Sequence, residues 1–114
     1  MPTKSLSNIC NHSLDESKAE DVIILDVKAV SSFADEIIIA TANSNRHATS
    51  VSNKLVEALK ENKINIIGVE GESSSGWILV DCGDVVINIM QKEQREFYDL
   101  ESLWGEMIPR KESI

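Results

Sequence analysis

Cysteine, long apolar runs, positive charge and aromatic side chains are all scarce in this chain, and each shortage removes a class of protein. The two cysteines, Cys10 and Cys82, lie in segments of different expected structure with no secretory context, so they are read as free thiols. The fold must therefore hold without a disulfide staple. No apolar run approaches the ~20 residues needed to cross a bilayer, and Met1-Pro2-Thr3-Lys4 leads into polar sequence without a signal core. The expectation is a soluble, cytoplasmic protein that makes no membrane contact. Lys and Arg number 11 against 19 Asp and Glu, a net charge of −8. Nucleic-acid phosphates call for cationic side chains, so direct nucleic-acid binding is not expected. The acidity is uneven: residues 68–114 hold 10 acids and 4 bases, whereas residues 1–67 hold 9 acids and 7 bases. An acidic C-terminal region suits either solubility or a basic partner.

A length of 114 residues is that of one domain with one core, and without an internal repeat or dividing linker the expectation is a single domain over residues 1–114. Leu6, Ile9, Cys10 and Leu14 fall at helical spacing, which predicts a short amphipathic helix over about Ser5 to Ser17. Val22–Val27 and Ile37–Ala40 are nearly unbroken apolar runs and read as strands in the middle of a sheet, covered on both faces. The short connection between them, Ser31-Ser32-Phe33-Ala34-Asp35, favours an antiparallel pair.

Ala42-Asn43-Ser44-Asn45 offers several helix caps, and Ala48, Val51, Leu55, Ala58 and Leu59 then repeat every three or four residues, predicting the long helix. Asn62 can take the left-handed conformation at its end. Ile64, Ile66, Ile67 and Val69 follow as a strand that should run parallel to the one before the helix. Gly71-Glu72-Ser73-Ser74-Ser75-Gly76 reads as a flexible loop.

Ile78–Val80 and Val85–Met90 are rich in β-branched residues and enclose Asp81-Cys82-Gly83-Asp84, the pattern of an antiparallel hairpin. Its turn needs a positive φ, which Gly83 accepts, and Asp81 or Asp84 can accept a neighbouring amide proton. From Gln91 to Trp104 the pattern turns helical, with Phe97, Leu100, Leu103 and Trp104 on one face. Gly105 and Pro109 should end regular structure, leaving Arg110 to Ile114 as a loose tail. The sum is an α/β fold: a mixed sheet of about five strands flanked by helices.

Four stretches of this order resemble a known family. They are the hairpin Gly76-Trp77-Ile78-Leu79-Val80-Asp81-Cys82-Gly83-Asp84-Val85-Val86, the run Arg95-Glu96-Phe97-Tyr98-Asp99-Leu100-Glu101-Ser102-Leu103-Trp104, and the two strands that open at Lys18 and Phe33. Together they are similar to the ribosomal silencing factor (Iojap-like) family, over about Leu14 to Trp104. The chain departs from that pattern at Cys82, where the family commonly has an aromatic residue, and at Asn88, where a His is common. The resemblance implies a nucleotidyltransferase-like architecture without catalysis. It also implies docking on the large ribosomal subunit through that subunit's protein number fourteen, steric obstruction of small-subunit joining, repression of translation when nutrients are scarce, and a homodimer in the free state. No cofactor is implied.

The architectural kinship makes a degenerate or cryptic nucleotidyltransferase the alternative. Nucleotidyl transfer needs acids that hold Mg²⁺ on the phosphates, typically a close acidic pair after a Gly-Ser helix start. The chain has no Gly-Ser and no Asp-x-Asp, and Asp81 and Asp84 stand two residues apart across a turn with no Lys or Arg nearby. A metal site is no better supported, because Cys10, His12, His47 and Cys82 give one close pair and scattered singles. Asp81 and Asp84 oppose a thiolate at Cys82, and Gly68, Gly71 and Gly76 lack the spacing and Lys of a phosphate loop. Neither catalytic nor metal-ligating residues are assigned.

Of five aromatic residues, Trp77, Phe97, Tyr98 and Trp104 lie in the last third of the chain. Phe97, Leu100 and Leu103 are expected in the core, whereas Trp77 and Tyr98 either fill the core or anchor a partner. The candidate partner-binding set is Trp77, Asp81, Asp84, Arg95, Tyr98, Asp99 and Trp104, which joins large contact groups to charge complementary to a basic protein.

Overall fold

The computed structural model of the protein describes residues 3–107, and its element order follows the apolar patterning. Helix α1 spans Thr3–Glu16, β1 Glu20–Asp26, β2 Glu36–Ala42, α2 Asn45–Glu61, β3 Gly68–Glu72, β4 Trp77–Asp81, β5 Val85–Gln91, α3 Lys92–Tyr98 and α4 Leu100–Met107. A 3-10 turn at Ser73–Ser75 joins β3 to β4. The five strands form one mixed sheet in the order β1-β2-β5-β4-β3.

The period of two along each strand divides the apolar residues between the two faces. Ile38, Ala40, Ile78, Val80, Val85, Ile87 and Ile89 share one buried cluster with Leu6, Cys10 and Leu14 of α1 and Val51, Leu55 and Leu59 of α2. Helices α1 and α2 therefore cover that face. On the opposite face Val27, Ile37, Ile39 and Met90 form a smaller cluster, against which Ile23, Leu25, Trp77, Leu100 and Trp104 pack. Helix α4 lies over β1 there, and α3 meets β2 and β5. At the β4 end of this second face the end of α3 reaches over the sheet, with the Tyr98 ring against Trp77.

Helix α2 starts where the caps predicted. Ser44 is its N-cap, and the Ser44 hydroxyl accepts the His47 N–H at 3.0 Å. The β4–β5 turn also has the expected chemistry: Gly83 takes φ 85°, and its N–H donates to Asp81 Oδ1 at 2.8 Å. β2 pairs with β1 antiparallel and with β5 parallel. β3 runs in the same direction as β2, with β5 and β4 between them, because β5–β4 and β4–β3 are each antiparallel.

Several expectations are corrected. β1 is an edge strand, not a central one, and Ile24 on it is exposed. Its apolar run reflects α4 packing on Ile23 and Leu25, not a strand on both sides. The left-handed residue after α2 is Lys63, at φ 60°, while Asn62 keeps φ −93°. Ile64 to Ile67 precede β3, which begins only at Gly68 and takes in Gly71 and Glu72. The helix expected over 91–104 is two helices, broken at Asp99 in the left-handed region at φ 45°. That break turns Phe97 and Leu103 out of the core, leaving them 80% and 51% exposed. Gly105 does not stop α4, which runs through it to Met107. Pro109 and the Arg110–Ile114 tail lie outside the described residues.

Candidate partner-binding face

The β4 end of the second sheet face carries Trp77 and Asp81 and, from α3, Tyr98. Strand alternation places Trp77, Leu79 and Asp81 on this face of β4, one after another. Trp77 stands at the start of β4, and its indole Nε1–H donates to Asn88 Oδ1 at 2.9 Å across the β4–β5 pair. Asn88 is buried, and its amide also donates to the Ile38 carbonyl of β2 at 3.5 Å. The indole is thus fixed from beneath. From the side it meets the Tyr98 ring, with centroids 4.9 Å apart and planes tilted by 51°. Tyr98 in turn takes Phe97 edge-on at 5.0 Å. Trp77, Leu79 and Tyr98 line a shallow hollow of about 320 Å³ with Glu70, Gly71 and Ser75.

Such contiguous rings, half-exposed and rimmed by acids, have the composition of an interface core. Asp81 shares the face with Trp77, although one of its oxygens is engaged by Gly83. Asp99 is exposed at the break after Tyr98. Asp84 is exposed on the turn, where its carbonyl accepts the N–H groups of Asp35 and Glu36 at 2.8 and 3.0 Å. Trp104 packs into the second cluster and meets Phe33, itself 59% exposed, at 5.9 Å.

Arg95 is placed differently from the rest. Its side chain is only 11% exposed and is held by hydrogen bonds within the protein. Nε and Nη2 donate to the two oxygens of Glu101 at 3.2 and 3.1 Å, and Nη1 donates to Asp21 O and Thr41 Oγ1, both at 2.7 Å.

Sequence reasoning passed over Leu79, Asn88 and Phe97 as members of this face. Alternation from Trp77 was a sufficient signal for Leu79 and, across the hairpin, for Asn88, which pairs with Leu79 in the sheet. No signal marked Phe97, because its exposure follows from the break at Asp99.

A cleft of about 870 Å³ lies elsewhere, at the carboxyl ends of β2 and β5 beside the first turn of α2. Its lining carries six carboxylates and two cations, and one of the cations is the fully engaged Arg95. That balance repels a nucleotide triphosphate. The chain's one Asp-x-Glu, Asp99-Leu100-Glu101, borders the cleft, but Glu101 is held by Arg95 and Asp99 sits at the helix break. His47 is also committed: Nδ1 accepts the Asn43 N–H at 3.0 Å, and Nε2 lies 2.8 Å from the Ser17 carbonyl. Among the described residues no three His, Cys, Asp or Glu side chains are grouped so as to hold a metal ion. Burial pushes the Cys10 thiol up to about 12, helped by Cys82 and Glu36, and pushes Cys82 up to about 11, helped by Asp81. Both are poor nucleophiles near neutrality.

Fold and site together define a small mixed-sheet α/β protein that presents a face of aromatic and acidic side chains. The comparisons with known proteins give it a family. Residues 2–114 match the profile described as "Ribosomal silencing factor during starvation", and the chain belongs to that family. It is 38% identical over 109 residues to the ribosomal silencing factor RsfS of Chromobacterium violaceum, covering 96% of this chain and 89% of the relative. To RsfS of Bacillus subtilis it is 35% identical over 106 residues, covering 93% and 90%. A crystal structure of a Chromobacterium violaceum protein superposes with a TM-score of 0.89 at 36% identity, covering all of this chain and 95% of the other. No helix among the described residues is long and apolar enough to cross a membrane.

Proposed function

We propose that this chain is a non-enzymatic silencing factor that binds the large ribosomal subunit and keeps the small subunit from joining. Membership of the family supports the ribosomal assignment. The observation that carries the mode of action is the contiguous ring cluster in which exposed Phe97 and Tyr98 meet the partly buried Trp77, at the β4 end of the sheet. A basic ribosomal protein suits such a face, and the family resemblance points to protein number fourteen of the large subunit.

In this reading Trp77 and Tyr98 are the anchors and Asp81, Asp84 and Asp99 form the charged rim. Trp104 and Arg95 hold α3 and α4 on the sheet. The block is steric, so it needs neither nucleotide nor metal. The acidic cleft at the ends of β2 and β5 disfavours the nucleotidyltransferase alternative. The chain acts as a single cytoplasmic domain, and free protein pairs into a homodimer that competes with ribosome docking.

The test is co-sedimentation of purified protein with isolated large and small subunits. It should travel with the large subunit alone, and excess free protein number fourteen should displace it. Binding to the small subunit, or binding unaffected by the competitor, would contradict the proposal.

A further inference from the structure

Helix α3 should not stand where it does on the strength of its own sequence. Seven residues are too few for a helix to persist unaided in water, and none of the seven is buried. Yet α3 carries Phe97 and Tyr98, and the aromatic face exists only if the helix is held at a fixed distance from β4. The ring contact with Trp77 is one tie. The other is Arg95.

Three separate elements converge on that guanidinium. From β2, Thr41 supplies Oγ1, and from α4, beyond the break at Asp99, Glu101 supplies both carboxylate oxygens. From β1, Asp21 supplies its main-chain carbonyl. Asp21 lies where the β1–β2 register shifts, and it adopts φ 48°, so the arginine meets the main chain at an irregular point of the β1–β2 pair. The guanidinium makes four hydrogen bonds to these three elements, one more than the three N–H groups of a lysine ammonium could supply, and its planar fork matches both oxygens of Glu101.

We infer that Arg95 is the positioning residue of the partner-binding face: it locks the α3–α4 elbow onto the β1–β2 pair and so sets Tyr98 against Trp77 and Phe97 beside Tyr98, without itself touching the partner. The inference rests on the proposed ribosome-binding role of that face. It assigns Arg95 a part distinct from the surface acids, because its effect on binding passes through Tyr98.

The test is a double-mutant cycle read by affinity for isolated large subunits, using Trp77→Ala, Tyr98→Ala, Arg95→Gln and the Arg95→Gln/Tyr98→Ala pair. Arg95→Gln should weaken binding about tenfold while the far-ultraviolet circular dichroism keeps its native shape. Tyr98→Ala should add little once Arg95 is gone, since the ring is already displaced. Arg95→Lys should recover only a small part. Fully additive losses, or wild-type binding by Arg95→Gln, would overturn the inference. If Trp77→Ala binds like wild type, the proposed face itself fails, which is a different result. Should Arg95→Gln not fold, Glu101→Gln and Thr41→Val, each removing one acceptor, must weaken binding and fail to add to Tyr98→Ala; otherwise the inference falls.

Discussion

The indole of Trp77 is tied by its Nε1–H to the buried amide oxygen of Asn88, 2.9 Å away on the neighbouring strand. A large ring at the start of β4 is thereby tied to the sheet at its Nε1 edge while it packs against Tyr98. Replacing Asn88 by Leu should leave the indole N–H without its acceptor and cost about 1 kcal/mol in urea unfolding. In a Trp104→Phe background the Trp77 emission should shift as the ring loosens. Asn88→His, which keeps a ring nitrogen as acceptor, should retain more of the native spectrum. Identical spectra for the Leu and wild-type proteins would contradict this role.

Core and face should separate cleanly in stability. Leu55 is fully buried between α2 and the sheet, so Leu55→Ala should cost about 2–5 kcal/mol through lost contacts and the cavity left behind. Phe97, at 80% exposure, should change the unfolding free energy by no more than about 0.5 kcal/mol when cut to Ala. A large loss from Phe97→Ala would return it to the core that its helical spacing suggested.

Much of the fold was legible because local signals and packing agree. The hairpin reads from its β-branched runs and Gly83, and α2 reads from Ser44 and its apolar stripe. What the sequence hid involves distance. An apolar run such as Val22–Val27 reports that its side chains are covered, but not whether a strand or a helix covers them, so β1 was placed at the centre when it is an edge. No glycine or proline announces the break at Asp99, and the face on which Phe97 and Leu103 fall depends on it. Of the candidate face, Trp77 and Tyr98 were legible as scarce aromatics among acids, and the structure brings their rings together. The inward role of Arg95 could not be read, because its partners Asp21 and Thr41 lie 74 and 54 residues away in sequence.

The break at Asp99 has its own consequence. Its φ of 45° is a region that glycine enters without strain and β-branched residues avoid. Asp99→Gly should leave stability within about 0.5 kcal/mol of wild type, whereas Asp99→Val should lose about 1 kcal/mol or more. Equal stability for the two variants would argue for a continuous helix.

The two thiols predict a pH dependence. Burial raises Cys10 from 9.0 to about 12 and Cys82 from 9.0 to about 11, so between those values the unfolded chain releases protons that the folded chain retains. Their contribution is fully present below pH 9.0 and is lost as pH rises toward 11 and 12. The free energy of unfolding should therefore fall more steeply above pH 9.0 in wild type than in a Cys10→Ala variant. A thiol reagent at neutral pH should modify Cys82 before Cys10, which is fully buried. The reverse order would contradict the packing of α1 on the sheet.

Subunit joining tests the central claim most directly. Large subunits are incubated with increasing amounts of the protein, small subunits are added, and the assembled ribosome peak is read from a sucrose gradient without added nucleotide. A steric blocker bound through the Trp77–Tyr98 face predicts a fall in that peak that levels off near one copy per large subunit. It also predicts that a folded Trp77→Ala protein needs several-fold more to match it. Loss of joining at a small fraction of one copy per subunit, a requirement for nucleotide, or equal potency of Trp77→Ala would contradict the account.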